Sequence, residues 1–187
     1  MHTAGTRYMA EVTQPVFRKG KQRFDQMKNR ETRFPAAVLI GIILVFLDQY
    51  TKFLAVTYLR PKGSVTLIPG VLELRYLENR GAAFGMLQNR QWVFVVFAIV
   101  CILACVWIGL RLAVSNRHTA SRVCLAILAA GAAGNLIDRI SRGFVIDFIY
   151  FSLIHFPVFN VADICVSLST AALVILVLFF YKEEGDD

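Results

Sequence analysis

The stretch QWVFVVFAIVCILACVWIGL, residues 91–110, decides the fold class of this chain, because it contains no charged residue. A helix rises 1.5 Å per residue, so about 20 apolar residues cross the roughly 30 Å hydrocarbon core of a bilayer. Apolar and polar residues do not alternate here, which argues against a membrane-spanning strand. The stretch therefore predicts a transmembrane helix, since a helix pairs its own backbone groups inside lipid.

Three further apolar blocks lie at residues 35–58, 120–137 and 159–181. Together with residues 91–110 they predict four transmembrane helices; the alternative is a soluble helical bundle with a very apolar core. The first block is longer than the roughly 7–15 apolar residues of a cleavable signal peptide and no small-x-small cleavage site follows it. We therefore expect it to stay in the protein as a membrane helix.

Composition and charge agree with a membrane protein. Of the 187 residues 57% are hydrophobic and 18% charged, whereas soluble domains average about 45–50% and about 25%. This excludes disorder for most of the chain, and four cysteines are too few for a disulfide-rich scaffold. Eight of the twenty Lys and Arg residues precede the first block, an arrangement that favours membrane lipids as partners over nucleic acid.

Basic residues also predict the orientation. The leader 1–34 and the loop with Arg117 and Arg122 should be cytoplasmic by the positive-inside bias. Four spans then place the tail 182–187 on the same side, so that both termini are cytoplasmic. The predicted organisation is a basic leader at 1–34, disordered or an interfacial helix, a four-helix domain at 35–181 and the tail at 182–187.

The segments between helices that face outward, residues 59–90 and 138–158, contain strand-like runs. Residues 64–68 and 71–76 flank the turn signal Pro69-Gly70, and residues 143–150 form a third run. We expect a small antiparallel sheet that leans on the helices or the lipid, because so few strands are marginal alone. The predicted fold is an all-α integral membrane protein with this sheet on its extracytoplasmic face.

Polar residues inside the apolar blocks are the main functional signal, because an ionisable residue in a spanning helix costs about 2.5–3.5 kcal/mol. Counting the helical rise from each block start puts Asp48 and Asn135 about 20 and about 22 Å above the inner end. Asp163 opens a helix that enters from outside. Separate helices thus bring polar residues to one level, where they can converge on one site.

The spacing of these residues supports inward-facing clusters. Asp48 with Lys52, and Asn135 with Arg139, are each four residues apart and share a helix face. Asp48 and Lys52 can instead be a self-neutralising pair that supports the fold, and Arg139 with Asp138 an interfacial anchor. The small residues 131–134 are more typical of a close helix-packing surface than of a ligand loop.

Other chemistries find little support. The three histidines are dispersed and lack metal-ligand spacing, and the nucleophile motif Gly-x-Ser-x-Gly is absent; a Ser–His pair with His155 stays open.

Asp147 and Asp163 remain as the natural pair. If they meet in a low dielectric, one carboxyl stays protonated and one ionised. Such a dyad can deprotonate water and protonate a departing amide, which is acid–base hydrolysis of a peptide bond.

Five motifs occur in order along the helices: LDQYTK at 47–52, ENRGAAFG at 78–85, GAAGNLIDR at 131–139, VIDFI at 145–149 and FNVAD at 159–163. This ordered set resembles the lipoprotein signal peptidase (signal peptidase II) family over residues 35–181. The third motif has more alanine than the family's usual glycine-rich run. The leader 1–34 lies outside the resemblance.

The resemblance implies an aspartyl endopeptidase of the bacterial cytoplasmic (inner) membrane, with its site near the extracytoplasmic face. It would cut diacylglyceryl-modified prolipoproteins just before the lipidated cysteine. Asp147 and Asp163 would be catalytic. Four residues would bind and orient the substrate: Asn79, Asn135, Arg139 and Asn160. Supporting roles would fall to Asp48, Lys52 and Gly81. Residues 81–86 would form a short covering element, no metal or organic cofactor is implied, and a monomer is expected.

Two rival functions come from other classes. A transporter or channel would also carry intramembrane charges, but the polar residues stop at one level and no internal repeat is evident. A non-catalytic assembly factor would use the outer sheet to bind partners. Replacing either aspartate and looking for uncut precursor separates the three.

Overall fold

The computed structural model describes residues 36–81, 90–112 and 118–180. Within these residues four helices are long and apolar enough to span a membrane. They are α1 (Ala36–Leu59), α2 (Gln91–Leu112), α3 (Thr119–Arg142) and α4 (Val161–Phe180). The four predicted helices are therefore confirmed. The leader 1–34, the tail 182–187 and most of the expected covering element 81–86 lie outside the described residues.

The helices differ in the surfaces that they present. α2 is apolar on every side, and Trp92, Phe97 and Leu103 are all more than 60% exposed. A helix that is apolar all round suits a lipid environment. α3 is the most buried of the four and packs against both α2 and α4. It therefore forms the centre of the bundle.

Two glycines let α3 approach its neighbours closely. A Cβ atom at Gly131 would lie 2.6 Å from the carbonyl oxygen of Ala162 in α4. A Cβ atom at Gly134 would lie 2.5 Å from Oδ2 of Asp48 in α1. No side chain fits at either place without a shift, so the small residues of α3 do form a close helix-packing surface.

A three-stranded antiparallel sheet accompanies the helices, in the order β1 (Ser64–Ile68), β2 (Leu72–Asn79) and β3 (Val145–Phe151). The β1–β2 turn at Pro69-Gly70 uses the left-handed conformation that glycine tolerates, with φ of 70° at Gly70. The predicted sheet is confirmed, although β2 runs three residues beyond its predicted end.

The sheet leans on the bundle, as its small size required. Ile146 and Phe148 of β3 pack with Ala55 and Leu59 from the end of α1 to form a buried core. In the register between β2 and β3, Leu77 pairs with Asp147. The extra residues of β2 carry Asn79 to the same end of β3. The longer strand thus places Asn79 near Asp147.

The boundary of α3 differs from the expectation. The apolar block ends at Ile137, but the helix continues to Arg142 and ends on Gly143, whose φ is 77°. The start of the predicted outer segment 138–158 is therefore helical. Within this helical end, Oδ2 of Asp138 lies 3.1 Å from Nζ of Lys52, and Nη1 of Arg139 donates to the carbonyl oxygen of Asn135. The left-handed glycine provides the stop.

Candidate active site

Asp147 and Asp163 lie on different elements at the sheet-bearing end of the bundle. Asp147 is the third residue of β3 and is 1% exposed. Asp163 is the third residue of α4. Phe159, just before α4, bridges back to Ile149 of β3. This bridge holds the start of α4 against the strand that carries Asp147.

Asn160 caps α4 and fixes Asp163. The Asn160 Oδ1 atom accepts from the backbone N–H of Asp163 at 3.0 Å. In return, Oδ2 of Asp163 accepts from the backbone N–H of Asn160 at 3.1 Å. This reciprocal capping box satisfies two N–H groups that a helix start leaves unpaired. It also holds the Asp163 carboxylate in one orientation.

The amide groups of three asparagines link the two carboxylates. Nδ2 of Asn160 donates to Oδ1 of Asp147 at 2.6 Å, and Nδ2 of Asn79 donates to Oδ2 of Asp147 at 2.9 Å. Nδ2 of Asn135 donates to Oδ1 of Asp163 at 2.8 Å. Asn160 also donates to Oδ1 of Asn135 at 3.1 Å. The structure therefore brings five of the predicted site residues into one network.

The environment shifts the titration of Asp147. Burial, and after it the charge of Asp163, raise the pKa of this carboxyl to a net value of about 7. The hydrogen bonds from Asn79 and Asn160 act in the opposite direction. A carboxyl with a pKa near neutrality can both hold and release a proton at physiological pH.

Lys52 forms a fully buried centre beneath this network. Its Nζ atom lies 2.9 Å from Oδ2 of Asp48 and 3.1 Å from Oδ2 of Asp138. It also donates to Oδ1 of Asn135 at 3.0 Å. The pair of Asp48 and Lys52 thus neutralises charge and also holds an asparagine of the dyad network. The arrangement therefore contains features of both alternatives for this pair, an inward-facing cluster at the site and a self-neutralising pair that supports the fold.

The two carboxylates beside Lys52 hold the backbone next to each dyad residue. Oδ1 of Asp48 accepts from the N–H of Ala162 at 2.9 Å, one residue before Asp163. Oδ2 of Asp138 accepts from the N–H of Ile146 at 3.1 Å, one residue before Asp147. One buried lysine therefore ties together the two backbone segments that carry the dyad.

Arg139 and Gly81 border the same site. The Arg139 guanidinium lies 4.9 Å from the centre of the Phe94 ring, and Nη1 donates to the carbonyl oxygen of Asn135 at 3.3 Å. The backbone N–H of Gly81 donates to Oδ1 of Asn79 at 2.9 Å, which orients the amide toward Asp147. All the predicted site residues thus lie in or beside one cluster.

Three contributors were not among the predicted site residues. Asp138 is fully buried, so the alternative of an interfacial anchor does not hold for this residue. Gln49 donates from Nε2 to Oδ2 of Asp48 and to the carbonyl oxygen of Gly134, both at 3.1 Å. Phe94 underlies Arg139. The sequence signal for Asp138 and Gln49 was their position inside two motifs, whereas Phe94 lies in a uniformly apolar helix without any signal.

Two other chemistries can be compared with the structure. Nδ1 of His155 lies 3.2 Å from the hydroxyl oxygen of Tyr150, so the described side-chain contact of this histidine is with a tyrosine and not with a serine. Within the described part of the chain, no three His, Cys, Asp or Glu residues are placed to hold a metal ion.

Four apolar helices, a small sheet and a buried carboxylate network define an integral membrane protein with a site suited to acid–base chemistry. A family model described as signal peptidase (SPase) II matches residues 40–180. This chain therefore belongs to the signal peptidase II family, whose members are membrane proteases. The resemblance seen in the five motifs is thereby confirmed.

Individual relatives agree with this assignment. A lipoprotein signal peptidase of Clostridioides difficile is 43% identical over 147 residues, covering 79% of this chain and 97% of that protein. One from Brevibacillus brevis is 40% identical over 146 residues, covering 78% and 97%.

Solved structures show the same architecture. A bacterial membrane enzyme determined by the in meso method at 2.3 Å superposes with a TM-score of 0.72 at 29% identity, covering 82% of this chain and 93% of that chain. A second, at 1.9 Å, gives a TM-score of 0.68 at 30% identity, covering 78% and 94%.

Proposed function

We propose that this peptidase removes the signal peptide from diacylglyceryl-modified prolipoproteins by cutting just before the lipidated cysteine, with Asp147 and Asp163 as its catalytic residues. One observation carries the assignment of the dyad. Asn160 donates to both carboxylates, through Nδ2 to Asp147 and through its backbone N–H to Asp163. The two acids therefore lie on either side of a single residue in a buried site.

The proposed reaction needs one protonated and one ionised aspartate. The ionised carboxylate takes a proton from water as the water oxygen attacks the scissile carbonyl carbon. The protonated carboxyl then gives its proton to the departing amide nitrogen as the C–N bond breaks. The raised pKa of Asp147 favours such a shared proton near neutral pH. The pair of aspartates takes up one proton and gives up one proton, so its proton count and total charge are unchanged over the cycle.

Asn79, Asn135, Asn160 and Arg139 would orient the dyad and the substrate backbone. The Arg139 guanidinium lies against Phe94, and its buried Nε atom has no hydrogen-bond partner among the described residues. A donor in that state is suited to a substrate carbonyl oxygen. The signal sequence and acyl chains of the substrate are lipid-soluble, so the substrate would enter sideways from the bilayer.

The proposal places the enzyme in the bacterial cytoplasmic membrane as a monomer, with both termini in the cytoplasm and the dyad near the extracytoplasmic face. The domain organisation would be the leader 1–34, the peptidase domain 35–181 and the tail 182–187. Two features support this orientation. The basic leader precedes α1, and the sheet and dyad lie at the other end of that helix.

The decisive test replaces Asp147→Asn and Asp163→Asn separately in a strain that reports cleavage of a lipidated precursor. Each change should lower the cleavage rate by at least about 100-fold, the smaller end of what acid–base groups contribute. Glu73→Gln is a matched carboxylate control, since Glu73 pairs with Arg75 on the sheet surface. Normal cleavage by a well-expressed Asp147→Asn protein would overturn the dyad. Altered ion flux with intact cleavage would favour a transporter.

A further inference from the structure

A second unusual feature lies at the end of the bundle away from the dyad. A cavity of about 110 Å³ lies between the first turns of α1, the last turns of α2 and the first turns of α3. Its lining is apolar except for Thr119 and Arg122. The lining residues that matter here are Ala37, Cys105, Gly109, Leu110, Arg122 and Ala126.

Arg122 is buried in this apolar setting with little to neutralise it. The residue is 6% exposed, and Nη2 donates to Oγ1 of Thr119 at 3.0 Å. Among the described residues, its buried Nε and Nη1 atoms have no hydrogen-bond partner and no carboxylate pairs with it. A buried cation with unused N–H donors is costly unless an anion compensates it.

The start of α3 adds a second positive feature at the same point. α3 begins at Thr119, and its first turn, which contains Arg122, holds no acidic residue. The N-terminus of a long helix carries a partial positive charge and N–H groups that suit an anion. The helix dipole and the guanidinium therefore favour the same kind of ligand.

We propose that this cavity binds one anionic phospholipid of the leaflet that faces it. The phosphate lies against Arg122 and the start of α3, and part of an acyl chain fills the apolar cavity. A guanidinium fork matches two phosphate oxygens. A lipid is favoured over free phosphate because the lining is apolar and the flanking Val106 and Leu110 are more than half exposed on the lipid-facing surface.

The proposed lipid site is separate from the peptidase site. Arg122 precedes Arg139 on the same helix by a length of about 25 Å. A ligand bound here would join the ends of α1, α2 and α3 and stabilise the folded state by mass action. The proposal therefore stands whether or not Asp147 and Asp163 form the catalytic pair.

The test uses the full-length protein, purified and delipidated in neutral detergent. Binding is measured by native mass spectrometry and by the thermal unfolding midpoint, with phosphatidylglycerol, phosphatidylcholine or inorganic phosphate added. Phosphatidylglycerol should bind and raise the midpoint, and the other two should do neither. Arg122→Gln should weaken phosphatidylglycerol binding by at least about tenfold, as expected for loss of a charge-assisted hydrogen bond.

A second variant blocks the acyl part of the site. A Cβ atom at Gly109 meets no other atom within 4 Å, so Gly109→Leu should fold and fill the cavity. It should lose phosphatidylglycerol binding without a loss of stability in the lipid-free state. Arg111→Gln is the matched control. Arg111 lies over Trp107 outside the cavity, and its substitution removes one positive charge from the same end of the bundle.

Three results would overturn the proposal. One is wild-type phosphatidylglycerol binding in both Arg122→Gln and Gly109→Leu. Another is an equal loss of binding in Arg111→Gln, which would indicate non-specific attraction to positive charge. The third is equal stabilisation by inorganic phosphate, which would indicate an anion site without a lipid. Prolipoprotein cleavage, measured in parallel, distinguishes each of these from failure of the peptidase assignment.

Discussion

The side-chain amide of Asn160 donates a 2.6 Å hydrogen bond to Oδ1 of Asp147. The same residue caps the helix that carries Asp163. A helix cap and a link between two carboxylates are thus combined in one asparagine. Because these functions use different atoms, substitutions can separate them.

Asn160→Ser should keep the cap and lose the link. Serine is about as good an N-cap as asparagine, but its hydroxyl is too short to replace the amide that reaches Asp147. We expect near-wild-type thermal stability with a severe loss of cleavage. Asn160→Ala should lose both, with a further stability loss of about 1 kcal/mol. Wild-type cleavage by Asn160→Ser would show that the link is not needed.

Lys52→Met should destabilise the protein strongly. It leaves the buried carboxylates of Asp48 and Asp138 without their shared cation, and breaking a buried ion pair costs about 3–5 kcal/mol. Unfolding in detergent measures the loss. Arg60→Gln is the control, since its pair with Glu78 is 3.6 Å long and Arg60 is 60% exposed, so it should change stability by less than about 1 kcal/mol.

Restoring charge balance gives a sharper version of this test. Asp48→Asn added to Lys52→Met removes one of the two carboxylate charges that Lys52 neutralises and keeps an oxygen that can accept from the N–H of Ala162. The double variant should be more stable than Lys52→Met alone. The double variant could instead be less stable than the wild type by the sum of the losses in the two single variants. That result would refute the coupling between Asp48 and Lys52.

Gly134→Ala and Gly131→Ala should each loosen the bundle. The new Cβ atoms would lie 2.5 Å from Oδ2 of Asp48 and 2.6 Å from the carbonyl oxygen of Ala162. Overpacking of this kind costs about 1–3 kcal/mol, and both contacts support Asp163, so cleavage should fall as well. Gly109→Ala, with open space around its Cβ, should not lower stability. Equal effects at all three positions would contradict the packing argument.

Cleavage should decline as pH rises through about 7, where Asp147 loses its proton. Asn79→Ala removes a hydrogen bond that lowers this pKa, so the alkaline limb of its residual activity should move to higher pH. A pH–rate profile of both proteins measures the shift. If the alkaline limb of Asn79→Ala lay at the same pH as in the wild type, or at a lower pH, Asp147 would be excluded as the group that produces this limb.

The stability of the folded protein should also depend on pH through the titration of Asp147. The folded protein holds the Asp147 proton to about pH 7, whereas the unfolded chain releases it near 3.8. The resulting stabilisation is fully present below pH 3.8 and is lost as pH rises through about 7. Asp147→Asn cannot titrate and should flatten this part of the stability profile. A profile identical to that of the wild type would show that other groups produce it.

How far the site could be predicted depended on the kind of residue. Asp147 and Asp163 could be selected as candidates because a charge in or beside an apolar block is costly. Asp138 was noted among the polar residues that end the third helix, but its contact with Lys52 joins two different helices and could not be predicted. Phe94 could not be predicted, since one aromatic residue in an apolar helix resembles its neighbours.

The sequence by itself determined the four helices, the sheet and the candidate dyad, because hydrophobic length, turn residues and misplaced charges are local properties of the chain. Only the tertiary structure decided which groups share a hydrogen bond. The convergence of Asp48 and Asp138 on Lys52, and of Asn160 on both aspartates, depends on how closely α1, α3 and α4 pack. That distance is set by contacts between residues far apart in sequence, and no local pattern specifies it.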